Sequence, residues 1–197
     1  TALIEFEEQV DDSPYYHAAI EMQNNGLAVH YGRWLVTGRP RIILLDFTNQ
    51  MDTVDQLKFH LWQNFQISTL NAEPLVNNVL AFGEMVRKYL SEFAHKNAKK
   101  CNITAHFHEW MASTALLDLS REKAPIATVF TTHATMLGRY IAGNVENFYE
   151  TLRNFNWADE ARNYGIEAQA GIERHSAQLC HVLTTVSDVT AKECEVF

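Results

Sequence analysis

The sequence predicts a doubly wound α/β domain with a mainly parallel sheet. Three observations carry that expectation. Short apolar, β-rich runs alternate with helical patterns through the second half of the chain. Ile42, Ile43, Leu44 and Leu45 run without alternation, as a strand covered on both faces does. The 197 residues also suit one domain with a real core better than two, so residues 1–197 are read as a single domain.

The elements follow in order. Ser13-Pro14 offers a capping hydroxyl and a first-turn proline, and Asn24-Asn25-Gly26 a stop, so a helix is expected between them. Residues 28–32 and Arg41–Phe47 read as strands, with Gly38 and Pro40 in the turn. Asp52-Thr53 should cap a helix that places Val54, Leu57, Leu61 and Phe65 on one face. Pro74 opens a longer helix with a stripe of Val76, Val79, Leu80, Gly83, Val86, Leu90 and Phe93, followed by Lys96, Lys99 and Lys100 near its negative pole. Then come a strand over Ile103–His108, a helix from about Trp110, a strand over Ile126–Thr131 and a helical stretch near Thr135. Helical patterns over Asn144–Arg153 and Ala158–Leu179 lead to a strand at His181–Thr185 and a helix opened by Ser187.

Charge and composition exclude several classes. A net charge of −8 disfavours a general nucleic-acid or anionic-membrane binder, which needs surplus Lys and Arg. No apolar stretch reaches the roughly 20 residues of a membrane span. The acidic first dozen residues are not a secretory signal. Cys101, Cys180 and Cys194 show no paired spacing and read as free thiols in a reducing, cytoplasmic setting. The chain begins on Thr1 rather than Met and ends within a helical-looking run, so a piece of a longer polypeptide is expected.

In open parallel sheets, ligands bind at the carboxyl ends of the strands. Three predicted strand exits carry polar residues there: Ala-His-Phe-His-Glu-Trp at 105–110, Phe-Thr-Thr-His-Ala-Thr at 130–135 and Leu-Thr-Thr-Val-Ser-Asp at 183–188. At the first, His106 and His108 share a strand face and Glu109 follows at the turn. With His133 they could ligate zinc in a metal-dependent hydrolase, or serve as hydrogen-bonded structural groups. At the second, His133 offers a ring that donates or accepts near neutral pH, and Arg139 a permanent charged fork. With free N–H groups at a helix start, they suit a sugar joined to a phosphate, unless Arg139 pairs with a surface carboxylate. At the third, Ser187 is most simply a helix cap. No Gly-x-Ser-x-Gly elbow, P-loop or Gly-x-Gly-x-x-Gly turn occurs, which disfavours a serine hydrolase, an NTPase and a simple dinucleotide enzyme.

Longer stretches add a resemblance. His-Phe-His-Glu-Trp at 106–110, Phe-Thr-Thr-His-Ala-Thr-Met-Leu-Gly-Arg-Tyr at 130–140, Glu173-Arg174 and His-Val-Leu-Thr-Thr-Val-Ser-Asp-Val-Thr-Ala-Lys-Glu at 181–193 resemble glycogen synthases of the animal and fungal type. Tyr-Gly-Arg-Trp-Leu at 31–35, Leu-Leu-Asp at 44–46, Asn-Phe-Tyr at 147–149 and Asn-Phe-Asn-Trp at 154–157 are similar as well. The resemblance implies a retaining glycosyltransferase of the GT-B architecture, in which two Rossmann-like domains face a cleft. This chain would be the N-terminal, acceptor-side domain, truncated at both ends and inactive alone.

The implied reaction moves glucose from UDP-glucose to the non-reducing end of an α-1,4-glucan, as in glycogen biosynthesis, with no cofactor and no essential metal. The implied catalytic residues are Glu109 in the cleft, His133 beside the transferred glucose and Arg139 near the donor phosphates. Implied partners are UDP-glucose, glycogen and the missing C-terminal domain of the same polypeptide, with homo-oligomerisation of the full enzyme left open. Against the pattern, the chain lacks the family's glycine-rich Lys/Arg-x-Gly-Gly loop, and it has Glu167-Ala168-Gln169 where the family has Tyr-His-Arg. A non-catalytic glucan-binding module is the remaining alternative.

Overall fold

The structure, a computed structural model, describes residues 5–197. The reading of the Thr1 end lies outside them. The first half is an antiparallel sheet in the order β1 (Phe6–Glu8), β2 (Val29–Trp34) and β3 (Arg41–Leu45), with α1 (Pro14–Asn24) between β1 and β2. Helix α1 starts as its sequence dictates. The Ser13 hydroxyl accepts the Tyr16 N–H at 3.2 Å, Pro14 fills the first turn, and Gly26 leaves the helix at φ 78°.

The unalternating run at β3 is not a covered parallel strand. It pairs antiparallel with β2, placing Ile43 opposite Tyr31, and Leu44 is exposed. Ile43 and Leu45 alone pack inward, onto the cluster of Ala18, Met22, Tyr31, Met85 and Tyr89. The reason is the link of residues 35–40, with Gly38 at φ 85°. It is too short for a parallel crossover, which takes a dozen or more residues, so it closes a hairpin.

The expected cap at Asp52-Thr53 differs too. Residues Thr48–Thr53 form a 3-10 turn, and the Thr53 hydroxyl donates to the Gln50 carbonyl at 2.7 Å instead of capping α2 (Val54–Phe65). Helix α3 (Pro74–Asn97) begins on Pro74 and buries Val76, Val79, Leu80, Gly83 and Phe93. It packs on α1 and on α4 (Glu109–Arg121), and so joins the two halves.

The second half follows the predicted α/β class. Strands β4 (Thr104–His108), β5 (Ala127–Thr132) and β6 (Val182–Thr185) form a parallel sheet in that order. Phe107 aligns with Phe130, and Phe130 with Leu183. Ala105, Phe107 and the fully buried Phe130 face α3 and α4 in one apolar cluster with Leu116 and Leu119. The opposite face carries His106, His108, Thr131 and Thr184, of which His106, His108 and Thr184 are exposed.

Helices α5 (Met136–Ala142), α6 (Phe148–Thr151), α7 (Trp157–Asn163), α8 (Glu167–Leu179) and α9 (Asp188–Cys194) complete the chain. The single pattern expected over Ala158–Leu179 is two helices, because Gly165 at φ 67° breaks it. The pattern at Asn144–Arg153 shrinks to α6 and one 3-10 turn. No helix among the described residues is long and apolar enough to cross a membrane.

Candidate active site

The parallel sheet delivers its polar residues at the carboxyl ends of β4 and β5, where an open α/β sheet binds ligands. Glu109 is the first residue after β4. It takes φ 65°, in the left-handed region where a side chain with a Cβ is strained by about 1–3 kcal/mol. That turn aims its carboxylate back across the sheet end. Oε1 of Glu109 accepts the backbone N–H of His133 and Nη2 of Arg139, both at 3.0 Å. A single oxygen thus ties the exit of β5 to α5. The Glu109 side chain is 19% exposed and that of Arg139 51%.

His133 follows β5 directly and is exposed. Its Nε2 lies 3.3 Å from Nδ1 of His108, and the His108 ring centroid is 4.1 Å from that of His106. His106 turns Nε2 to the Thr131 hydroxyl at 2.6 Å, and Thr131 bonds to Thr184 at 2.6 Å. The four residues of the metal reading are therefore neighbours, with His106 Nε2 turned to a hydroxyl and His108 Nδ1 facing His133 Nε2. Among the described residues no group of three or more His, Cys, Asp or Glu side chains is arranged to hold a metal ion. Ser187 is a cap: its hydroxyl accepts the Thr190 N–H at 3.2 Å.

The start of α5 corrects one expectation. The N–H groups of Thr135, Met136 and Gly138 there are already taken by the protein's own side chains. Thr135 is the cap, its hydroxyl accepting Gly138 N–H at 2.9 Å. The N–H of Met136 goes to Oε2 of Glu173 at 2.7 Å, and that of Thr135 to Oε2 of Glu193 at 3.3 Å. The protein's own carboxylates occupy the place a phosphate would take.

Glu173 and Glu193 were not singled out from the sequence as site residues, although both fall within the motifs quoted there. Glu173 lies on a buried stretch of α8 with Ala168, Ala170 and Ile172, where a carboxylate is out of place unless something holds it. Burial pushes its carboxyl up to about 7, against the lowering effect of the Met136 N–H and the Thr132 hydroxyl. Glu109 nearby adds to the rise, and Arg139 opposes it.

A carboxyl whose folded pKa exceeds its unfolded value of about 4.5 binds more protons when folded. Its contribution is complete below 4.5 and lost as pH rises through 7. The Glu173→Gln variant lacks this titration. The stability of the parent chain relative to that variant should fall between pH 4.5 and 7 and level off above it, as read by urea unfolding at each pH. A flat difference would show that Glu173 does not titrate there.

Comparison with known proteins gives the family. The glycogen synthase family model matches residues 3–197. The chain is 37% identical over 196 residues to glycogen [starch] synthase of Neurospora crassa, covering 99% of this chain and 28% of that protein. It is 39% identical over 197 residues to glycogen [starch] synthase of Dictyostelium discoideum, covering 99% of this chain and 22% of that one. To the liver glycogen [starch] synthase of Rattus norvegicus it is 38% identical over 175 residues, 88% of this chain and 25% of that protein. The chain thus spans about a quarter of the length of these curated relatives. By the family match across nearly its whole length, the chain belongs to the glycogen synthase family.

Proposed function

We propose that this chain is one wall of the catalytic cleft of a cytoplasmic glycogen synthase, which transfers glucose from UDP-glucose to the non-reducing end of an α-1,4-glucan with retention. The wall is a single Rossmann-like domain over residues 1–197, and the C-terminal domain of the same polypeptide supplies the facing wall. The observation that carries this reading is the Glu109 carboxylate bridging His133 and Arg139 at the strand exits, in a chain of this family.

The chemistry follows from the charges. When the glycosidic bond to the diphosphate breaks, negative charge collects on the leaving group and positive charge on the sugar. Arg139 is half exposed, its Nη2 donating to one carboxylate oxygen and its Nε to the Ala134 carbonyl at 3.4 Å. Nη1 has no partner among the contacts of the described residues, so part of the planar fork is left for a diphosphate. His133 lies beside the transferred glucose and offers it a hydrogen bond. Glu109 stays in the cleft with its second oxygen uncommitted among the contacts of the described residues, facing the region where the sugar gains positive charge. The reading needs no resident cofactor or metal.

The test is incorporation of labelled glucose from UDP-glucose into glycogen, by the 197-residue chain and by the full-length polypeptide. The full-length polypeptide should turn over. The chain alone should not, because on this reading the facing wall supplies most of the nucleotide contacts. Robust turnover by the chain alone would refute the one-wall reading, and preference of the full-length polypeptide for another nucleotide sugar would refute the donor.

A further inference from the structure

The five residues from the end of β5 to the start of α5, Thr132–Met136, carry His133 and are held from three sides by carboxylates. Glu109 of α4 takes the N–H of His133. Glu193 of α9 takes the N–H of Thr135 at 3.3 Å and its hydroxyl at 2.7 Å through Oε2, while Oε1 accepts the Tyr149 hydroxyl at 3.0 Å. Glu173 of α8 spans the segment, accepting the Thr132 hydroxyl at 3.0 Å on Oε1 and the Met136 N–H at 2.7 Å on Oε2. Thr190, also on α9, donates its hydroxyl to the His133 carbonyl at 3.3 Å.

Glu173 is 8% exposed and Glu193 4%. Among the described residues neither has a Lys, Arg or His within ion-pair distance. Burying a carboxylate without a cation costs several kcal/mol even when hydrogen bonds compensate in part. A core selected for cohesion alone would put apolar side chains in both places. Here three of the four carboxylate oxygens are spent on one segment, and the backbone makes room for one of them. A Cβ on Gly138 would come within 2.2 Å of Glu193 Oε2, so the residue at 138 has none.

We propose that Glu173 and Glu193 are positioning residues for glucosyl transfer, a two-sided buried clamp that fixes Thr132–Met136 and thereby the ring of His133 at the donor glucose. Neither touches substrate; each acts through the segment that carries His133. The proposal rests on the glycogen synthase reading above. A displacement of about 1 Å at a reacting group can cost about a hundredfold in rate, which is the scale such a clamp protects. Glutamine at 173 would preserve it. Its amide oxygen accepts the Met136 N–H, its NH2 donates to the Thr132 oxygen, and the Thr132 hydroxyl turns to the Ala134 carbonyl, already 3.3 Å away.

The experiment is a mutant cycle in the full-length enzyme, reading kcat and KM for UDP-glucose with glycogen as acceptor. Glu173→Ala should lower kcat about tenfold or more with KM within about threefold, and Glu173→Gln should stay within about threefold of the parent. In a His133→Ala background, Glu173→Ala should cost less than about twofold further, because the group it positions is gone. Equal factors in both backgrounds, or an unchanged kcat in Glu173→Ala, would overturn the proposal.

If Glu173→Ala does not fold, Thr132→Val removes one of the clamped donors at constant volume. It should lower kcat in the parent and not in the His133→Ala background, and an unchanged kcat would count against the clamp equally. If the parent enzyme transfers no glucose from UDP-glucose, the glycogen synthase reading fails and the clamp is judged separately by amide hydrogen exchange over residues 132–136. Faster exchange in Glu173→Ala or Thr132→Val but not in Glu173→Gln supports the clamp. Unchanged exchange overturns it.

Discussion

Replacing Arg139 with alanine in the full-length enzyme should lower kcat for glucose transfer about a hundredfold, while KM for UDP-glucose changes by less than about threefold. The diphosphate carries most of its negative charge in the ground state already, and other donors share it there. On the proposed reading, what Arg139 adds is charge at the oxygen that leaves. That demand exists chiefly in the transition state, so the loss belongs in kcat. Lysine should restore little, because a point charge cannot reproduce the planar fork.

The structure sharpens the control. Arg139 is paired with Glu109 at 3.0 Å, so Arg139→Ala also frees a carboxylate inside the cleft. The double variant Arg139→Ala/Glu109→Gln separates the two effects. If the loss came only from the freed carboxylate, the double variant would recover kcat. If Arg139 acts on the leaving group, it would not. An unchanged kcat in Arg139→Ala alone would remove Arg139 from the site.

What could be read in advance followed from local rules. The strands, their exits and the polar residues just beyond them are set by alternation and by the geometry of open α/β sheets, which place Glu109 at one exit and His133 with Arg139 at another; the resemblance to glycogen synthases is what joins the three in one site. Pairing of Arg139 with some carboxylate was also open to view. Its identity was not, because Glu109 lies 30 residues away and reaches Arg139 only through an unusual left-handed backbone at φ 65°. The apolar run at Ile42–Leu45 misled because composition says nothing about direction, whereas the short link after β2 dictates it.

Glu173 and Glu193 escaped for another reason. A carboxylate on a helix is ordinarily solvated, and the pattern of α8 does not show that this one points at a segment 37 residues upstream. The one clue is glycine at 138, whose missing Cβ has a purpose only once α9 is folded against it.

Gly83→Ala makes the same point about packing and should destabilise the chain by about 2 kcal/mol, against the usual expectation for glycine in a helix. In an exposed helix interior, alanine gains about 1 kcal/mol over glycine. At 83 the added Cβ would lie 1.7 Å from the Thr114 hydroxyl and 2.9 Å from the Thr114 Cβ, where α3 crosses α4. Thr114 is 7% exposed and donates to the Val79 carbonyl at 3.4 Å, so its hydroxyl has a fixed place. Rotating it away puts its methyl in the gap instead, and the helices must separate. Overpacking of this kind costs about 1–3 kcal/mol, and the orphaned hydroxyl adds to it, which outweighs the propensity gain. The urea midpoint should fall with little change in slope. Thr114→Ala in the same chain should recover part of the loss, since it removes the 1.7 Å conflict and leaves only the approach to the Cβ of residue 114. If Gly83→Ala raised the midpoint, the close crossing of α3 and α4 would be wrong. The layer that holds the end of β4, and with it Glu109, would then need a different account.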